Sequence, residues 1–72
     1  MEIDPERLRE VGARLRTLRE QRGETQVEVA RAVELHRTYL GRLEAGRQNV
    51  TVGTLYRIAD HFGVDAAALL PD

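Results

Sequence analysis

The sequence predicts an all-α fold, a compact set of five short helices around one small core, and three observations predict it. Apolar residues recur at spacings of three and four along the chain, and no stretch alternates apolar with polar residues as a half-buried strand would. Gly, Pro, Thr and Asp stand where helix ends would fall. An apolar residue precedes four of the expected N-caps and another follows five positions later, the spacing of a hydrophobic staple. The pairs are Ile3 and Leu8, Leu35 and Leu40, Val50 and Leu55, and Val64 and Leu69.

The first helix carries Leu8, Val11, Leu15 and Leu18 on one stripe, with charged residues filling the opposite face. Asp4 caps it, Pro5 takes the first helical position, and Gly23 ends it. Thr25 and Glu28 have the spacing of a capping box and open a second, short helix with Val29, Ala30 and Val33 on its apolar face. Its preceding residue is Glu24, so it alone lacks a staple. Leu35, Leu40 and Leu43 are out of phase with a straight continuation, which calls for a turn at Glu34 to His36. A third helix runs from Arg37 to Ala45 and stops at Gly46, and the polar loop Arg47-Gln48-Asn49 follows. Thr51 caps a fourth helix with Leu55, Ile58, Ala59 and Phe62 on one face, closed by Gly63. Asp65 caps a fifth that ends at Pro71.

A 72-residue chain has room for one core, since a domain near this size buries only about 60% of its unfolded surface. Residues 1–72 therefore read as one domain. With no cysteine, neither a disulfide framework nor a thiolate metal site supports it. His36 and His61, the only histidines, fall on separate helices and are expected at the surface, which argues against a metal. There is no Ser to act as a nucleophile, and so small a core leaves little space for a pocket with paired acid and base. Neither an enzyme nor a cofactor is expected. No apolar run nears the roughly 20 residues of a membrane span, and the first residues are acidic where a secretory signal is basic, so the expected compartment is the cytoplasm.

The net charge is -1, yet its distribution is uneven. All the basic residues are Arg, a bias of GC-rich coding. Residues 1–36 carry seven Arg against eight acids, residues 37–57 carry Arg37, Arg42, Arg47 and Arg57 against Glu44 alone, and residues 58–72 carry three acids and no base. A cationic block is the footprint of a nucleic-acid contact.

That block overlaps residues 26–45, two short helices joined by a tight turn. Such a unit lays its second helix in the major groove of DNA while the first crosses the backbone. The chain resembles the Cro and phage-repressor type of helix-turn-helix, the xenobiotic-response-element family, over about residues 8–70. The resemblance rests on Leu18-Arg19, Thr25-Gln26-x-x-x-Ala30, Arg37-Thr38-Tyr39-Leu40, Leu43-Glu44-x-Gly46, Asn49, Thr54-Leu55-x-x-Ile58-Ala59 and Phe62-Gly63-Val64. It is similar to small restriction-modification controllers and phage regulators.

The resemblance implies a repressor-like domain that binds double-stranded DNA as a homodimer on a palindromic operator, at the nucleoid. Arg37, Thr38 and Arg42 are then the base readers; a guanidinium matches the O6 and N7 acceptors of guanine, so Arg37 predicts a guanine in each half-site. Gln26, Arg47 and Asn49 are implied phosphate contacts. Tyr39 either joins them or packs at the edge of the core. Arg19 and Glu44 are implied to form a structural ion pair. Glu34 stands where the family's turn often has Gly, so either Glu34 takes a left-handed conformation or the turn is built differently. Gly41 fills a recognition-helix position that usually bears a polar side chain. The acidic, apolar C-terminal part, with Phe62, Val64, Ala67, Leu69 and Leu70, is the expected dimer surface. The alternative function is an antitoxin-like or scaffold module that uses the same fold to bind protein.

Overall fold

A computed structural model describes residues 4–71. Four α-helices follow one another, α1 (Pro5–Gln21), α2 (Gln26–Ala32), α3 (Arg37–Glu44) and α4 (Val52–Phe62), and a 3-10 turn, Ala66–Leu69, completes the chain. No strand occurs among the described residues.

The N-caps form as their side chains dictate. Asp4 accepts the amide of Arg7 at 3.0 Å, and Thr51 accepts that of Thr54 at 3.1 Å. At α2, Thr25 Oγ1 accepts the Glu28 amide at 3.1 Å while Glu28 Oε1 accepts the Thr25 amide at 2.8 Å. The bond from the Thr25 backbone N–H holds the Glu28 carboxyl below the usual glutamate range, because it stabilises the ionised acceptor more than the neutral acid.

The four C-termini share one hydrogen-bond pattern, the Schellman motif. Leu35 donates to the Ala30 carbonyl (2.8 Å), Glu24 to Arg19 (3.1 Å), Arg47 to Arg42 (2.9 Å) and Val64 to Ala59 (3.0 Å). Each motif needs one left-handed residue. Gly23, Gly46 and Gly63 fill three of these positions, and Glu34, at φ 59°, fills the fourth. The α2–α3 turn thus keeps the left-handed geometry that glycine supplies at the other three and tolerates a strained glutamate to do so.

The fifth element differs from expectation. Four residues are too few for an α-helix stopped by Pro71, and they close as i to i+3 bonds, with Ala68 donating to Asp65 at 2.9 Å and Leu70 to Ala67 at 3.1 Å. Asp65 sits at the N-cap without a side-chain hydrogen bond, and so does His36 before α3.

Leu15, Val29, Ala30, Val33, Leu40, Leu43, Leu55, Ile58, Ala59, Phe62 and Leu69 form one buried cluster, against which Leu18, Leu35, Tyr39, Val50 and Val64 pack. The staple residues Leu35, Val50 and Val64 all reach this cluster, whereas Ile3 lies outside the described residues. Burying a Leu in full stabilises by about 1.5–3 kcal/mol, and both Leu40 and Leu43 have 0% exposure. The inner side of α3 is thereby fixed to the core.

Membership of this cluster corrects the expected dimer surface. Phe62 and Leu69 are core residues of a single subunit, 8% and 1% exposed, so neither offers a free face. Val64 is half-buried against the same cluster. Leu70 and Ala67 remain exposed.

Candidate nucleic-acid interface

The outer side of α3 presents Arg37, Thr38 and Arg42, all exposed. Thr38 and Arg42 are one turn apart on the same face, and Arg37 and Arg42 are separated by about 7.5 Å along the helix axis, at 1.5 Å per residue. Among the described residues neither arginine has a carboxylate within ion-pair distance. Their donors are turned to solvent in a cationic strip.

The single acid of that block, Glu44, is turned the other way. Arg19 donates from Nε to Oε2 at 2.6 Å and from Nη2 to Oε1 at 3.0 Å, a bidentate pair. Side-chain exposure is 14% for Arg19 and 4% for Glu44. The hydrogen bond to Glu44 raises the Arg19 pKa, so the guanidinium stays charged. Arg19 Nη1 also donates to the Glu24 carbonyl at 2.9 Å, which ties the loop before α2 to the same carboxylate.

Gln26, the first residue of α2, completes this network. Its Nε2 donates to Glu44 Oε1 at 3.1 Å, using one of its two amide hydrogens and leaving the other for a ligand. Gly41 lies beside it, with the Gln26 Oε1 at 3.7 Å from where a Cβ would stand. A Cβ at position 41 would sit in ordinary van der Waals contact with Gln26.

Past α3, Arg47 and Asn49 are exposed. Tyr39 is half-buried against the core, and its hydroxyl donates to the Asn49 backbone carbonyl at 2.9 Å. The loop is thus bonded to the helix it follows.

Three features escape sequence reasoning. At Gly12 a Cβ would lie 2.6 Å from the Glu44 carbonyl oxygen and closer still to that of Leu43, so α1 crosses the end of α3 at backbone contact. A glycine inside an otherwise strong helical stripe is the signal that could have found it. Arg14 Nη1 donates to the carbonyls of Leu70 at 3.0 Å and Ala68 at 3.3 Å and fastens the C-terminal turn to α1. Finally, His61 is not a surface residue. Its side chain is 19% exposed, Nε2 lies 3.1 Å from both Glu24 carboxylate oxygens, and Arg22 Nη1 donates to its carbonyl at 2.7 Å. Nothing in the spacing of residues 22, 24 and 61 announces that cluster.

Two short helices joined by a Schellman turn, the second anchored inside and cationic outside, define a helix-turn-helix unit. The chain belongs to the helix-turn-helix domain family, which it matches over residues 10–70. It is 43% identical over 56 residues to the HTH-type transcriptional regulator RamB of Mycobacterium tuberculosis, an alignment that covers 78% of this chain but only 12% of RamB. It is 35% identical over 60 residues to the immunity repressor of Bacillus phage phi105, covering 83% of this chain and 42% of the repressor. Among solved structures it resembles the restriction-modification controller protein C.AhdI of Aeromonas hydrophila, with a TM-score of 0.84, 32% identity, and coverage of 88% of this chain and 96% of C.AhdI. The chain therefore spans a small part of some of its relatives and nearly the whole of others.

Proposed function

We propose that this chain, residues 1–72 acting as one domain, is the DNA-reading part of a transcriptional regulator and binds duplex DNA as a homodimer on a palindromic operator. The observation that carries this reading is the two-sided character of α3. Leu40, Leu43 and the Arg19–Glu44 pair hold one side, while Arg37, Thr38 and Arg42 stand free on the other. In the major groove that free edge reads bases: Arg37 pairs with guanine, Arg42 with a base or the backbone further along, and Thr38 hydrogen-bonds a base edge or touches a thymine methyl. Gln26, through its second amide hydrogen, and Arg47 and Asn49, from the loop, hold phosphates and set the register. The relatives named as regulators and repressors support the same assignment.

Dimerisation follows from charge. A subunit of net charge -1 neutralises few phosphates, and a second copy doubles both the contacts and the steepness of the salt dependence. The subunit measures 28 × 24 × 20 Å, a scale suited to half-sites about one helical turn, roughly 34 Å, apart. Leu70, Ala67 and the groove lined by Ala13, Arg14, Thr17, Leu18 and Ala68 offer exposed apolar surface for the second copy on α1 and the C-terminal turn. Such a protein works in the cytoplasm, at the nucleoid.

Selection of bound sites from random duplex DNA at two salt concentrations tests the proposal. A palindromic consensus containing guanine is expected; weak binding that disappears with salt for every sequence alike would refute it. Within that consensus, Arg37→Ala relaxes one base position at a cost of about 1–3 kcal/mol of discrimination. Asn49→Ala weakens binding to all sequences equally.

A further inference from the structure

A phosphate-gripping loop is useful only if it stands at a fixed distance from the helix that reads bases. Of the amides at residues 46–51, only those of Gly46 and Arg47 donate backbone hydrogen bonds, to the Leu43 and Arg42 carbonyls, and both close the end of α3. Two anchors fix the far end of this loop. Val50 packs against the core, and one residue earlier the Asn49 carbonyl accepts the Tyr39 hydroxyl at 2.9 Å. Tyr39 lies in the first turn of α3, directly after Thr38, and its ring is seated against the same core. The ring therefore spans from the base-reading edge to the loop, across ten positions of sequence.

A phenol carries a single donor hydrogen. Here that hydrogen is committed to Asn49, whereas a phosphate oxygen can only accept. Donation from Tyr39 to DNA requires breaking the bond that holds the loop.

We propose that Tyr39 is a positioning residue, a strut whose hydroxyl fixes Arg47 and Asn49 relative to Arg37, Thr38 and Arg42, and that it does not itself grip the DNA backbone. This inference rests on the DNA-binding reading and adds a division of labour within it. The strut acts before DNA arrives, so it is visible in the free protein. Its effect on binding passes through the side chains of the loop.

The test is Tyr39→Phe in the full chain, which keeps the ring in the core and removes only the hydroxyl. In the DNA-free protein, exchange of the Arg47 amide, the one amide of residues 47–50 with a backbone hydrogen bond, is expected to quicken while the amides of α1 and α4 keep their protection. Affinity for a duplex carrying the selected site and for random-sequence duplex is expected to fall by the same factor, roughly three- to tenfold, the worth of one ordinary hydrogen bond, with base preference unchanged. Because the effect passes through the loop, the factor shrinks in an Asn49→Ala background. An undiminished factor in that background, or loop exchange that does not change, overturns the strut; the first result would assign the hydroxyl to DNA. A wild-type chain that binds no duplex sinks the DNA-binding reading and, with it, the strut's purpose, while the exchange measurement separately decides whether the hydroxyl orders the loop.

Discussion

The two sides of α3 differ more than any other pair of surfaces in this protein. On the inner side the charged groups are paired. Arg19, Glu44, Gln26 and the Glu24 carbonyl form one network, and α1 approaches so closely at Gly12 that only hydrogen fits. On the outer side Arg37 and Arg42 have no acidic partner among the described residues. A chain with more acids than bases thereby presents a cationic edge. The acid of the central block is turned inward and neutralised there, so the local field outside comes from arginines alone.

Breaking the inner side should cost the most. Arg19→Met leaves the Glu44 carboxylate, 4% exposed, with only Gln26 as a partner. A loss of about 3–5 kcal/mol is expected, the cost of an uncompensated buried charge, measured by urea denaturation. Glu44→Gln should cost less, because the stranded guanidinium keeps the Glu24 carbonyl and is more exposed. Equal losses from the two would show that burial does not set the cost.

Next in size is Gly12→Ala. The added methyl meets backbone oxygens at the end of α3, which cannot rotate away, so α1 and α3 must separate at a cost of about 1–3 kcal/mol. Thermal melting measures it, and no change in Tm would mean the crossing is looser than described.

A gain is expected at the turn between α2 and α3. Glu34→Gly removes the left-handed penalty of about 1–2 kcal/mol, less the roughly 0.5–1 kcal/mol that glycine loses in unfolded-chain entropy. The net is a stabilisation of up to about 1.5 kcal/mol by denaturation, and a destabilised variant would show that Glu34 makes a favourable contact outweighing its strain.

The smallest effect on folding belongs to the outer side. Arg42→Ala should change stability by no more than about 0.5 kcal/mol and still weaken DNA binding in a titration. A variant that unfolds more readily and binds as before would reverse the assignment of the two sides.

Much of the fold was legible because it is written in local chemistry. The Thr25–Glu28 capping box, the glycines at 23, 46 and 63, and the stripe of Leu8, Val11 and Leu15 each depend on neighbours within a turn or two. The same locality misled at the C-terminus. Phe62 and Leu69 read equally well as core or as dimer surface, because an apolar side chain is drawn to either and the sequence does not state which surface lies opposite. Of the candidate interface, the identity of the residues on α3 was legible from order and spacing, while the partners of Tyr39, Gln26 and His61 were not. Those contacts join residues 10, 18 and 37 positions apart, and their registration depends on how three helices pack.

Where helices begin and end, and which face of each is apolar, follow from local chemistry alone, because caps, glycine conformations and 3.6-residue periodicity act at short range. Packing of the whole chain sets the left-handed backbone of Glu34, the uncapped 3-10 turn after Asp65, the burial of Phe62 and Leu69, and the Tyr39 hydrogen bond to the Asn49 carbonyl. In each case the reason is the same: a local preference of about 1 kcal/mol yields when a whole hydrophobic core, worth several times more, fixes the backbone around it.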